Sequence, residues 1–112
     1  MAVKKAKHLD FSVLNSEKMQ ILLNCMGACS ACSKLCIEEG HKKTAILCEE
    51  CSDICSLTAK LVAKDSEFAD HMLDVCARAC RKCADACGKM DAPHCQECAE
   101  TCWECAEACT NL

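Results

Sequence analysis

Between Cys76 and Cys87 the chain reads C-A-R-A-C-R-K-C-A-D-A-C, with cysteines separated by four, three and four residues. An α-helix turns once in about 3.6 residues, so this spacing sets all four thiols along one stripe of a helix. The same spacing recurs at Cys25, Cys29, Cys32 and Cys36. It is extended at Cys95, Cys98, Cys102, Cys105 and Cys109, and shortened at Cys48, Cys51 and Cys55. In each stripe cysteine takes the positions that Leu or Ile fill in an ordinary helical bundle. Few folds accommodate four such stripes unless the stripes face one another.

The rest of the composition agrees with long helices joined by short turns. The chain has 112 residues with only 3 Gly and 1 Pro, enough for one domain. Its 16 cysteines are offset by an almost complete lack of aromatic residues, namely Phe11, Phe68 and Trp103. A core this poor in bulk needs some other filling or bridging element. The net charge of −4 supplies no basic surface for nucleic acid. No apolar run follows Lys4, Lys5 and Lys7, so no secretory signal and no membrane span is expected. That places the chain in the cytosol, where thiols stay reduced and metal binding outranks disulfides.

Capping signals divide the chain into a lead-in, 1–15, with a short helix near Leu9 to Leu14, and a bundle, 16–112. Helices are expected at about 17–39, 42–64, 66–88 and 92–110. Asn15 or Ser16 caps the first, and Gly40 stops it. Asp65 or Ser66 caps the third, and Gly88 ends it. Asp91 caps the fourth, with Pro93 in its first turn. Short turns make neighbours antiparallel, which gives an all-α, up-down-up-down four-helix bundle with a cysteine-lined core. One end of its seams is apolar, with Leu22, Val62 and Leu73 and with Thr58 continuing the second stripe. The other end gathers Cys36, Cys48, Cys87 and Cys95, with His41, Met90 and His94 in the turns around them. That end is expected to be thiol-rich and open. Ala77, Ala79, Ala84 and Ala86 flank the third stripe and Ala99, Ala106 and Ala108 the fourth, which allows close approach.

Seven cysteine pairs stand four residues apart, and such a pair has Cβ atoms roughly 6 Å apart on one face. Soft thiolates select Cu(I), Zn(II) or iron–sulfur clusters. Four Zn(II) on all the thiolates would leave about −8 of charge in a narrow core, a costly burial. Cu(I) takes two or three shared sulfurs, and at roughly one ion per thiolate the core is close to neutral. The iron–sulfur spacing C-x2-C-x2-C-x3-C is absent. Sulfurs four residues apart on one helix do not match disulfide geometry. Multiple Cu(I) ions per chain are therefore expected, with Cys25, Cys29, Cys32, Cys36, Cys48, Cys51, Cys55, Cys76, Cys80, Cys83, Cys87, Cys95, Cys98, Cys102, Cys105 and Cys109 as ligands. A zinc or mixed-metal buffer and a redox-sensing bundle are the alternatives. No catalytic constellation is visible.

The four C-x-x-x-C-bearing helices and the His- and Met-decorated turns resemble the cytosolic copper storage proteins, over about residues 17–110. The resemblance implies storage of many Cu(I) ions inside a bundle, a homotetramer, copper homeostasis and detoxification as the role, and loading through one end. Carried onto this chain, that end is His41, Met90 and His94. The second stripe has only three cysteines, with Thr44 and Thr58 continuing its seam, so the copper count is expected to differ within the family. Trp103 falls on an outward position and is expected at a subunit contact. Met26 and Met72 are read as packing or oligomer contacts and His8 and His71 as solvent-exposed or structural.

Overall fold

The computed structural model describes residues 6–110, and all of its regular elements are helices. In chain order they are α1 (Phe11–Leu14), α2 (Glu17–Glu38), α3 (Lys42–Ala63), α4 (Ala69–Gly88) and α5 (Pro93–Thr110). Residues 1–5, with Lys4 and Lys5, and residues 111–112 lie outside this description. α2 packs against α3 and α5, and α4 packs against the same two, so the four long helices close a ring around one core. The short α1 rests on α2.

Local chemistry sets where each helix begins and ends. The Asp10 carboxylate accepts from the Ser12 and Val13 N–H groups and caps α1. Ser16 Oγ accepts from Met19 N–H at 3.2 Å and caps α2. α2 ends in a paired turn. Gly40 takes φ 82°, His41 N–H donates to the Cys36 carbonyl at 2.8 Å, and Gly40 N–H donates to Ile37 at 3.1 Å. Those two bonds satisfy carbonyls that the helix end would otherwise orphan.

α3 ends the same way, with an aspartate where glycine is usual. Asp65 stands at φ 49°, Ser66 N–H donates to Leu61 O at 3.0 Å, and Asp65 N–H donates to Val62 O at 3.2 Å. This corrects the expectation that Asp65 or Ser66 caps the next helix. Both are consumed in terminating α3, so α4 starts only at Ala69, behind Phe68, after a turn in which Ser66 Oγ accepts from Phe68 N–H. Asp91 likewise stands one residue ahead of the α5 cap position. The Ala92 carbonyl accepts there from Cys95 and Gln96. Gly88 is the last residue of α4 and does not adopt a left-handed conformation.

The interior has two parts. Toward the start of α2 it is hydrocarbon, with Met19, Leu22, Leu73 and Ala59 buried and Ile21 and Val62 packed against them. Thr58 is fully buried in the same region, where its hydroxyl donates to Ile54 O at 2.7 Å. The remainder is sulfur. All sixteen cysteines are buried as free thiols. Ala77, Ala84, Ala99 and Ala106 are buried beside them, and their single methyls let the helices approach. Among the described residues no buried side-chain nitrogen or oxygen lacks a hydrogen-bond partner.

The expectation that no segment approaches a membrane span needs one correction. α2 is long and apolar enough to cross a membrane by length and composition, at a mean hydropathy of 1.3. Much of that apolarity comes from cysteine, which buries like a small hydrophobe. Here the stripe Leu22, Cys25, Cys29, Cys32 and Cys36 is buried in the core, against α3 and α5.

Two glycines make a discriminating pair. A Cβ at either position meets nothing within 4 Å, so only backbone terms differ. Gly40→Ala should destabilise by about 1–2 kcal/mol, the cost of a side chain in left-handed backbone. Gly88→Ala should stabilise by about 0.5–1 kcal/mol, the cost of glycine's extra freedom in a helix. Urea unfolding of the two variants beside the parent protein checks both signs.

Candidate metal centre

Helical spacing brings the sulfurs of one stripe together. Cys25–Cys29 and Cys32–Cys36 stand at 3.9 Å, and Cys76–Cys80, Cys83–Cys87 and Cys98–Cys102 at 4.0 Å. Contacts between helices are as close or closer. Cys29 lies 3.4 Å from Cys102, Cys48 lies 3.5 Å from Cys87, and Cys51 lies 3.6 Å from Cys80. Cys55–Cys76, Cys83–Cys48 and Cys36–Cys95 each close to 3.7 Å. These separations are far beyond an S–S bond of about 2.05 Å. They match the edge of a thiolate polygon around one ion with metal–sulfur arms of about 2.3 Å.

The thiols fall into sets whose ligand atoms all lie within 4.8 Å of one another. One set is Cys25, Cys29, Cys51 and Cys102. A second is Cys25, Cys55, Cys80 and Cys105. A third is Cys29, Cys83, Cys98 and Cys102, and a fourth is Cys32, Cys48, Cys87 and Cys98. The fifth joins Cys32, Cys36 and Cys95 to His94. Cys25, Cys29, Cys32, Cys98 and Cys102 each belong to two sets, so the five form one connected ladder from His94 to Cys105. Cys76 adjoins it through Cys55 and Cys80, and Cys109 stands one helical turn beyond Cys105 in the same buried stripe. A divalent ion wanting four thiolates of its own is poorly served by shared corners. A monovalent ion content with two or three shared sulfurs is well served.

Of the three non-cysteine candidates, His94 joins the sulfurs. Its Nδ1 lies 3.2 Å from Cys32 Sγ and 3.6 Å from Cys95 Sγ. Its Nε2 is 2.7 Å from the Glu39 carboxylate. An ionised carboxylate only accepts, so Nε2 carries a proton, and in the neutral imidazole Nδ1 turns its lone pair toward the thiols. The sequence reading missed Glu39, although its place just before Gly40 puts it at the same turn. His41 is half-buried at the start of α3 and its side chain makes no capping bond, while Met90 packs against the core. The open end expected there is closed over its sulfurs: Cys36, Cys48, Cys87 and Cys95 are all 0% exposed.

Electrostatics separate the thiols. Burial, and then the neighbouring Cys98 and Cys87 sulfurs, push Cys32 up. Burial, and then the hydrogen bond with Cys36, push Cys95 up to about 12. Cys51 is pushed down by hydrogen bonds from Cys102 and Cys25, and Cys105 by those from Cys109 and Cys25. The cluster thus accepts a first thiolate, stabilised by surrounding S–H donors, and resists further ones unless cations arrive with them.

Three comparisons bear on this arrangement. The family model described as "Copper storage protein" matches residues 14–112. The chain belongs to the copper storage protein family. An uncharacterized cysteine-rich protein of Bacillus subtilis (strain 168), YhjQ, is 40% identical over 82 residues, covering 70% of this chain and 76% of the relative. Among solved structures, the Cu(I)-bound copper storage protein BsCsp3 superposes with a TM-score of 0.81 at 36% identity, covering 89% of this chain and 95% of that one. Apo-Csp3 from Bacillus subtilis gives 0.79 at 40% identity, covering 82% and 91%. The family is one of copper storage, and the cysteines clustered in this member's core can bind multiple Cu(I) ions.

The thiol shifts give a pH dependence. Above the ordinary thiol value of about 9 the depressed thiols are ionised both folded and unfolded, and contribute no further change. The raised ones, Cys32 and Cys95 among them, stay protonated only in the folded state, so stability is intact below pH 9 and falls as pH climbs toward 12. The urea midpoint of reduced, metal-free protein should be lower at pH 10.5 than at pH 8.5, measured by circular dichroism.

Proposed function

We propose that this protein stores Cu(I) in the cytosol by coordinating many ions between the sixteen cysteine thiolates inside an antiparallel, up-down-up-down four-helix bundle, residues 16–112, with 1–15 as a lead-in. The observation that carries this reading is the connected ladder of sulfurs, in which neighbouring sets share corner thiols. Contact order supports the antiparallel arrangement. Cys48–Cys87, Cys51–Cys80 and Cys55–Cys76 run in opposite directions along α3 and α4. Cys25–Cys102 and Cys36–Cys95 do so along α2 and α5. Ser33 donates to Ala45 O and Ser52 to Met26 O, which gives the same sense for α2 and α3.

The chemistry is coordination without turnover. Each copper–sulfur bond replaces an S–H bond and releases a proton, so loading is linked to pH. Paired with about one Cu(I) each, the thiolates approach neutrality, and the burial that resists ionisation in the free protein no longer does so. His94, oriented by Glu39, serves as the nitrogen ligand at the Cys32–Cys36–Cys95 end, with His41 and Met90 at the same end. The homologue solved with Cu(I) supports the choice of metal. Exposed apolar residues, among them Ile37, Ile46, Leu57 and Trp103, offer surface for subunit contacts, and the working assembly is taken as the homotetramer that the family resemblance implies.

Titration of reduced protein with Cu(I) against a competing chelator tests the reading. Tight uptake of about ten or more equivalents is expected, from thiolates that each serve two ions. Saturation at about four equivalents, with Zn(II) preferred, would make the protein a zinc buffer. Indifference to both metals with formation of specific disulfides would make it a redox sensor.

A further inference from the structure

The end of the bundle that gathers Cys36, Cys48, Cys87 and Cys95 is covered, so copper reaching those thiols requires something there to move. The turns between the long helices are not built alike. α2 and α3 each finish beside a left-handed residue, Gly40 and Asp65, and backbone N–H groups close their last carbonyls. α4 has no left-handed residue at its end, and the N–H groups of Lys89 and Met90 both turn on Cys87 O. Pro93, which opens α5, has no N–H to offer the turn. A side chain supplies the donors instead. Gln96 Nε2 donates to Gly88 O at 3.0 Å and to Met90 O at 2.6 Å. An amide group carries two N–H donors, and here both are used on the turn.

We propose that Gln96 is a positioning residue for copper loading: it pins the α4–α5 turn, holds Met90 against the core, and so sets how fast Cu(I) gains the thiols at this end. The inference rests on the copper-storage reading with loading through this end, and adds the group that controls it. Gln96 is itself fixed, since its backbone N–H donates to Ala92 O at 3.2 Å in the first turn of α5. The turn is therefore tied to a packed helix. Met90 is the residue of that turn which packs inward, three positions after Cys87 and five before Cys95. Both Gln96 bonds are exposed. An exposed neutral hydrogen bond exchanges readily with water, so this tie opens locally while the four helices stay packed. The bond between His94 and Glu39 joins α5 to the end of α2 and leaves the turn alone, so the two ties are separable.

Two measurements decide it, both on Gln96→Leu, which keeps size and charge and removes both donors. Gln20→Leu serves as the control, because exposed Gln20 donates in the same way to Leu14 O at the opposite end. In the first, reduced, metal-free protein is briefly alkylated with iodoacetamide and peptide-mapped. Cys87 and Cys95 should react about fivefold faster in Gln96→Leu than in the parent, the scale of one lost hydrogen bond. Cys76, Cys105 and Cys109 should keep their rates, and Gln20→Leu should leave Cys87 and Cys95 unchanged. Equal acceleration of all thiols would make Gln96 a general stabiliser and overturn the inference, as would no acceleration at all. In the second, Cu(I) is supplied as its complex with reduced glutathione and uptake is followed by stopped flow. Initial uptake should be about fivefold faster in Gln96→Leu, with the final copper count unchanged. An unchanged initial rate, with normal uptake by the parent protein, overturns the role of Gln96 and spares the storage reading. Absence of uptake by the parent protein overturns both.

Discussion

Sulfur atoms held at contact distance without bonding are what this fold depends on. Sixteen thiols converge from four helices, and the sulfur–sulfur contacts among fourteen of them run from 3.4 Å between Cys29 and Cys102 to 4.0 Å within single stripes. A thiol is apolar enough to be buried, so the chain can assemble around these residues as around short aliphatic ones. It is also too small to fill a core alone. The larger buried side chains, Met19, Leu22 and Leu73, are confined to one region, and this leaves the rest of the interior under-filled by hydrocarbon. Copper bound between the sulfurs would supply the missing cross-links.

The same closeness governs the electrostatics. A lone buried thiol is inert. A thiol surrounded by others has S–H donors that favour one ionised neighbour and oppose a second. Cys51 and Cys105 lie on the favoured side, and Cys32 and Cys95 on the opposed side. Entry of cations and loss of protons are thus two aspects of one event. His94 fits that scheme, because Glu39 fixes its tautomer and presents an unprotonated nitrogen to Cys32 and Cys95.

The stripes were legible because helical periodicity alone sets which cysteines share a face, and each of the four became a buried row. The Gly40 turn and the Ser16 cap were legible from side-chain chemistry. Asp65 and Ser66 were misread because a left-handed aspartate ending one helix and a cap starting the next look alike in sequence. α2 was not expected to approach the length of a membrane span because cysteine was counted as chemistry and not as apolar length. Which thiols meet across helices was not legible. Cys29 against Cys102 depends on the relative rotation and axial offset of two helices, and no local pattern encodes that to within an ångström. The closure of the end near His41 and Met90 escaped for the same reason, since Met90 packs inward only once α4 and α5 are placed.

X-ray absorption at the copper edge of the fully loaded protein tests the central claim most directly. Shared thiolates predict a first shell made almost wholly of sulfur, together with scattering from neighbouring copper ions along the ladder. A first shell dominated by oxygen or nitrogen, or isolated copper ions without copper neighbours, would contradict it.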